Sequence, residues 1–258
     1  MPKVPRGFRI GLSAGRKIVM EQVHHARKVP SLPLARSMNI AEVVAARQAC
    51  AVRPSWTAIF MRAYGLAGIN CPELRRAYIP LPYPHLYEHP HMTCGLMVER
   101  EWQGELVVLG SKILAPENQA LARLDKHIRW CGTVPVWECG DFRQSLRVGG
   151  LPLPLRRFTF WQTLYLSGYK RAKRLGTFMM SSLGSLGVEQ LHPLGCLTTY
   201  FTFGPIGANG DVTLKVVYDH RVMDGRGAAR SLVEVEKIVK GLILEELRTL
   251  AAKPAAAA

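Results

Sequence analysis

Hydrophobic and polar positions alternate along this chain with two periods, and the helical one opens it. Ser13 precedes AGRKIVMEQVHHARK, where Ile18, Val19, Val23 and Ala26 fall on one side, so a Ser13-capped helix is predicted over 14–28. Ser37 or Asn39 can start a second over 40–50, and Ser55 a third through WTAIFMRAYGLAG, closed by its glycine. Pro72 and IPLPYPHLYEHP predict an extended, irregular segment. Two apolar runs, MTCGLMVER and ELVVLGSKIL, flank a link containing Gly104 and predict a hairpin. PENQALARLDKHIRW reads as a helix starting at its proline, whereas 131–155 is too rich in glycine and proline to assign. LTTYFTFGPIGANGDVTLKVVYDH predicts a second hairpin. Its turn signal is Asn209-Gly210, and Val212, Leu214, Val216 and Tyr218 alternate on its second strand. Beyond Gly227 a helix carries Ala228, Leu232, Val235, Val239 and Leu242 on one side. Helices mixed with hairpins predict an α/β or α+β fold with a largely antiparallel or mixed sheet. Without βαβ alternation, G-x-G-x-x-G or a P-loop, a nucleotide-binding parallel sheet is not expected.

Composition narrows the classes. The 258 residues are 48% hydrophobic and 21% charged, a globular balance. MPKVPRG lacks a core-forming pattern and reads as a flexible arm over 1–7; residues 251–258, ending in KPAAAA, read as a disordered tail. With 34 basic against 19 acidic residues, the net charge of +15 favours anionic partners. No zinc-finger or RNP-type motif accompanies it, so nucleic acid is not expected among them. No apolar run is long enough to span a bilayer as a helix. None of the six cysteines forms a C-x-x-C pair, and the N-terminus lacks a signal-peptide core, so reduced packing cysteines of a cytoplasmic protein are expected. His85, His89 and His91 with Glu88 match no familiar metal-ligand spacing, and no metal is expected.

The chemistry concentrates in VVYDHRVMDGRG, residues 216–227. A half-buried strand ends on Asp219-His220-Arg221, and Asp224-Gly225 follows. Buried unpaired, these charges would be costly, so each needs a partner. Asp219 to Gly225 resembles the D-H-R-x-x-D-G signature of the acyltransferase catalytic domain of 2-oxoacid dehydrogenase complexes, and is similar to the H-H-x-x-x-D-G of chloramphenicol acetyltransferase. Leu12 to Ile18, LSAGRKI, is similar to that family's P-L-S-x-x-R-K-x-I. Gly176 to Gly184, GTFMMSSLG, resembles its G-T-F-T-I-S-N-L-G strand. Ser55–Ala67 with Pro72-Glu73-Leu74, and the two hairpins, fall in the family's order. The resemblance covers 8–250, which would be one catalytic domain.

The resemblance implies a chloramphenicol-acetyltransferase-like fold, a mixed sheet flanked by helices with its active site at a subunit interface of a homotrimer or larger cage. It implies transfer of an acyl group between coenzyme A and a thiol, or an alcohol or amine, with acyl-CoA as substrate. His220 would be the general base, since the thiolate is the nucleophile and an imidazole titrates near neutrality. Ser181 would donate to the oxyanion, with Ser182 an adjacent competitor in place of the family's asparagine. Asp224 would pair with Arg16 and anchor the His220 loop. Asp219 and Arg221 receive no chemical step. The positive charge would suit coenzyme A phosphates.

The chain departs from the family in several places. Pro30-Ser31-Leu32-Pro33 replaces P-H-F, and Gly104 to Leu109 replaces the G-L-I-V-P-V strand. Lipoyl and subunit-binding domains are not seen, so a lipoyl group or acyl carrier would come from a separate partner. In LPLPLRRFTFWQTLYLSGYKRAKRLG, 151–176, Arg156, Arg157, Lys170, Arg171, Lys173 and Arg174 bracket an aromatic apolar core. It reads either as a basic amphipathic helix on anionic lipid or, preferred here, as a buried helix whose basic ends face solvent or a neighbouring subunit. The rivals to an enzyme are a non-catalytic assembly core that retains the fold and a membrane-peripheral basic protein.

Overall fold

The computed structural model describes residues 6–252; most of the arm and tail anticipated from composition lies outside that range. Helix α1 (Ala14–Ala26) begins where the Ser13 hydroxyl accepts the Arg16 N–H at 3.0 Å. Strand β1 (Ser31–Asn39) follows, unannounced by any alternating pattern. It is an edge strand, mostly solvent-facing, and an edge tolerates Pro33. Asn39 rather than Ser37 opens α2 (Ala41–Ala49), accepting the Ala41 N–H, while Ser37 bonds Thr213. Ser55 caps α3 (Trp56–Asn70). The proline-rich segment is less irregular than expected: a 3₁₀ turn at Pro72–Arg75 leads into an antiparallel pair, β2 (Arg76–Ile79) and β3 (His85–Glu88).

The first anticipated hairpin is β4 (Thr93–Trp102) and β5 (Glu105–Leu114), turned at Gln103 and Gly104, both at positive φ. Pro116 then starts only a 3₁₀ turn, and α4 begins later (Leu121–Thr133). The buried Glu117 carboxylate accepts the Met92 N–H and the Gln119 amide donates to the Leu114 carbonyl, so this turn is tied to the hairpin and cannot wind onward. The unassigned stretch contains α5 (Gly140–Gly150). The basic aromatic stretch is two helices, α6 (Leu153–Tyr165) and α7 (Gly168–Leu175), because Ser167 caps a new start. Strands β6 (Phe178–Met180), β7 (Thr199–Phe203) and β8 (Asp211–Asp219) precede α8 (Gly225–Ile238), a π-helical turn (Val239–Ile243) and α9 (Leu244–Ala252).

Six strands form a mixed sheet in the order β1-β8-β7-β6-β4-β5, parallel between β4 and β6 and between β6 and β7, antiparallel elsewhere. Val212, Leu214, Val216 and Tyr218 face a core closed by α3 and α8, as the alternation predicts. Fully buried Tyr64 fixes α3 to the sheet: its ring stacks on Phe201 at 4.4 Å and its hydroxyl donates to Thr199 Oγ1 at 2.9 Å. The opposite face of β6, β7 and β8 packs Met179, Tyr200 and Val217 against Ile18 of α1 and Phe160 and Leu164 of α6. All six cysteines are buried and unbridged.

Candidate active site

At the C-terminal end of β8 the backbone is clamped before it reaches His220. Asp219 is buried and accepts three bonds from Arg221: from the backbone N–H at 3.0 Å, Nε at 2.9 Å and a terminal guanidinium nitrogen at 2.7 Å. The guanidinium lies over the Tyr78 ring, 4.6 Å from its centroid. These two residues, given no chemical step from sequence, thus form an arginine–carboxylate fork that fixes the loop. The His220 N–H donates to the Pro30 carbonyl at 3.0 Å, and the Val222 N–H to the Asp219 carbonyl. The imidazole itself stands half exposed, its Nδ1 3.7 Å from Asp224 Oδ1, too long for a hydrogen bond. Asp224 is the residue before α8 and almost fully exposed. Behind it, Gly227 passes close to the Glu73 carboxylate, which is engaged by Arg230.

Ser181 follows β6. Its Oγ accepts from the Tyr200 hydroxyl at 2.9 Å and bonds Gln190 Oε1 at 2.7 Å. Burial pushes the Tyr200 phenol up, so it stays a proton donor. Ser182 is committed elsewhere: its Oγ donates to the Phe203 carbonyl and accepts the Gly184 N–H. Between the two adjacent serines, Ser181 alone bonds side chains only. Arg16 is held near Glu105, at 3.7 Å with both side chains partly exposed. Sequence reasoning did not find Tyr200 or Gln190.

The strand register separates these groups within one chain. Met180 pairs with Phe201, and Phe201 with Val216, so residue 181 lies level with Lys215. His220 is five residues further along β8, about 17 Å away along the strand direction alone. Arg16 belongs with the Ser181 end: Gly15 packs on Val107 of β5, near the finish of β4, which runs parallel to β6. One end of the sheet therefore carries Ser181 and Arg16, the other His220 and Asp224. Neither the His220–Ser181 pair nor the Asp224–Arg16 pair forms inside the chain.

The loop after Ser181 carries apolar side chains into solvent: Leu186 is 74% and Leu191 75% exposed, with Val188 and Leu194 about half exposed. Such a cluster marks a contact surface. The histidines of 85–91 are otherwise engaged. His85 Nδ1 meets the Tyr83 carbonyl, His89 Nδ1 the His91 carbonyl and His91 Nδ1 the Glu117 carboxylate, while Glu88 pairs with Arg75 and Arg76. Among the described residues no cluster of three metal-ligating side chains occurs.

No family model and no curated protein matches the chain. Solved structures do. A probable dihydrolipoamide acetyltransferase from Listeria monocytogenes superposes with a TM-score of 0.63 at 15% identity, covering 97% of this chain and 98% of that one. The dihydrolipoamide acetyltransferase of Azotobacter vinelandii gives 0.65 at 16%, covering 94% and 98%. A chloramphenicol acetyltransferase gives 0.53 at 12%, covering 88% and 95%. The chain has the α/β fold shared by these acyltransferases, as the three short motifs implied.

Proposed function

We propose that the protein is a coenzyme A-dependent acyltransferase whose active site is completed between copies of the chain. The carrying observation is the exposed His220, presented by a clamped strand end, on a fold whose other sheet end holds Ser181 free of backbone bonds. In the assembled site, the His220 end of one copy meets the Ser181 end of the next, and the same contact brings Asp224 toward Arg16. The apolar loop 183–194 is available to form that contact.

An acceptor thiol gives its proton to His220, and the thiolate attacks the carbonyl carbon of acyl-CoA. The new carbon–sulfur bond leaves the carbonyl oxygen negative. Ser181 donates to that oxygen while Tyr200 donates to Ser181, so charge moves along a chain of two hydrogen bonds. The Ser181 proton must leave Gln190 for this, which makes Gln190 the resting partner. Collapse of the intermediate breaks the bond to coenzyme A sulfur, and the leaving thiolate recovers the proton from His220. No covalent acyl-enzyme is required. An alcohol or amine acceptor follows the same course.

The test is turnover of a panel of acyl-CoA thioesters with dihydrolipoamide, simple alcohols and amines, following free thiol, for the wild type and His220→Ala. Turnover abolished in the variant with coenzyme A binding retained is the expected result. Failure of every coenzyme A species to bind would overturn the reading in favour of a non-catalytic core.

A further inference from the structure

Helix α6 buries Arg156, Phe160, Thr163 and Leu164, and a surface helix ordinarily turns polar residues the other way. Here the outward side carries Leu155 and Phe158, three residues apart and 56% and 57% exposed, and Leu166, 46% exposed, follows the last turn. Beside it runs a shallow groove between α6 and the end of α1, where Trp161 stacks on Phe158 with ring centres 5.9 Å apart and Lys28 and Arg157 supply positive charge. The one carboxylate nearby is already used: Glu21 is buried and shared between Arg156 and Arg157. Among the described residues, Lys28 has no carboxylate within ion-pair distance, nor have Lys170 and Lys173 on α7. His25 lines the same groove, and its Nε2 is buried with no hydrogen-bond partner. The tautomer in which Tyr165 donates to Nδ1 leaves that nitrogen a donor.

We infer that this face is a docking surface for an anionic lipid bilayer, with the apolar stripe entering the interface and lipid phosphates meeting Lys28 and Arg157. Apolar side chains flanked by tryptophan, by an arginine and by a lysine with no carboxylate partner are the requirements for a helix lying in that plane. Charge selects lipid over a second copy. Two such faces would bring Lys28 and Arg157 of one copy against those of the other, and the chain's net charge of +15 disfavours that pairing. The inference does not depend on the catalytic reading, because it uses none of that site's residues.

The test is co-sedimentation of the full chain with vesicles of phosphatidylcholine alone and of phosphatidylcholine containing about one third phosphatidylglycerol. Pelleting is expected with the anionic vesicles only, and loss of it at high salt. Leu155→Ser with Phe158→Ser, both at exposed positions, should weaken vesicle binding at least tenfold while the thermal midpoint is held. Lys28→Glu should weaken it without touching the stripe. Equal pelleting with neutral vesicles, or unchanged binding by the serine variant, would overturn the inference. So would a fall in assembly size of the serine variant with vesicle binding intact, which would assign the stripe to a contact between copies.

Discussion

The Ser181 hydroxyl is poised between one donor and one acceptor, and that arrangement sets different costs for its neighbours. Ser181→Ala removes the proposed oxyanion donor, for which a loss of about a hundredfold to a thousandfold in kcat is expected. Tyr200→Phe removes only the bond behind it, about 1 kcal/mol, so kcat should fall by roughly fivefold with KM for coenzyme A unchanged. A steady-state comparison checks both; an unaltered kcat in the phenylalanine variant would leave Tyr200 a packing residue. His220 and Ser181 were legible because each sits inside a contiguous motif. Tyr200 and Gln190 were not, since their nearness to Ser181 depends on the β6–β7 register and on a loop that doubles back. A second residue-scale effect comes from burial. It pushes the His25 imidazole down to about 4, against an ordinary value of 6.5. Between those values the unfolded chain binds a proton that the folded chain excludes. The stability contribution is therefore whole above the ordinary value and falls as pH drops toward 4, by on the order of 3 kcal/mol. His25→Phe, stacked on Phe160, should flatten that part of the acid limb in urea titrations at a series of pH values. An unchanged slope would place the sensitivity elsewhere.

Between elements, a deeply buried polar tie joins Glu21 of α1 to Arg156 and Arg157 of α6. Burial alone would raise the Glu21 pKa, but hydrogen bonds from Arg157 and Arg156 outweigh it and hold the carboxyl below its usual range. Glu21→Gln leaves Arg156, itself buried, without a counter-charge, and such a break costs about 3–5 kcal/mol. Urea unfolding of that variant should show the loss; a shift under about 1 kcal/mol would mean that water reaches the pair. Nothing in the spacing of Glu21 distinguished it from a surface helix residue, because its partners lie more than a hundred positions away. The same kind of long-range cause explains the strand that was not anticipated: β1 exists because β8 offers it an edge, and its own residues show no period. At the other end of the chain, Leu242 was placed with the core side of the last helix and is instead 61% exposed. Val239 is buried as expected, but the π-helical turn that starts there inserts a residue into the winding and rotates the face, so Ile243 and Leu247 are buried in place of Leu242. The helix starts at Ser13 and Ser55, by contrast, were legible to the residue, since that signal is local, whereas the Ser167 start inside a stretch read as one helix was not.

At the scale of the whole molecule, the sheet topology dictates how the proposed site can be made. Parallel β6 and β7 put Ser181 at one end and antiparallel β8 puts His220 at the other, so a chain cannot close its own site without breaking its core. A contact that joins one end to the other end of a second copy is heterologous, and three such contacts close a ring. The overall fold was legible in three short motifs, and the resemblance already implied a site at a subunit interface; which end of the sheet carries each residue was not legible, because a motif carries no direction and only the strand order reveals which way each end points. The prediction is complementation. His220→Ala should be inactive alone, and Ser181→Ala should keep about a hundredth of wild-type turnover or less. When the two are unfolded together and reassembled in equal amounts, a site works only where a copy with intact His220 meets a neighbour with intact Ser181. Random assortment makes that about one site in four, so the mixture should recover about a quarter of wild-type turnover. Mass measurement of differently tagged copies establishes that mixing took place. A mixed assembly that stays inactive while the wild type turns over would mean that His220 and Ser181 do not meet across copies, and would overturn the shared-site reading.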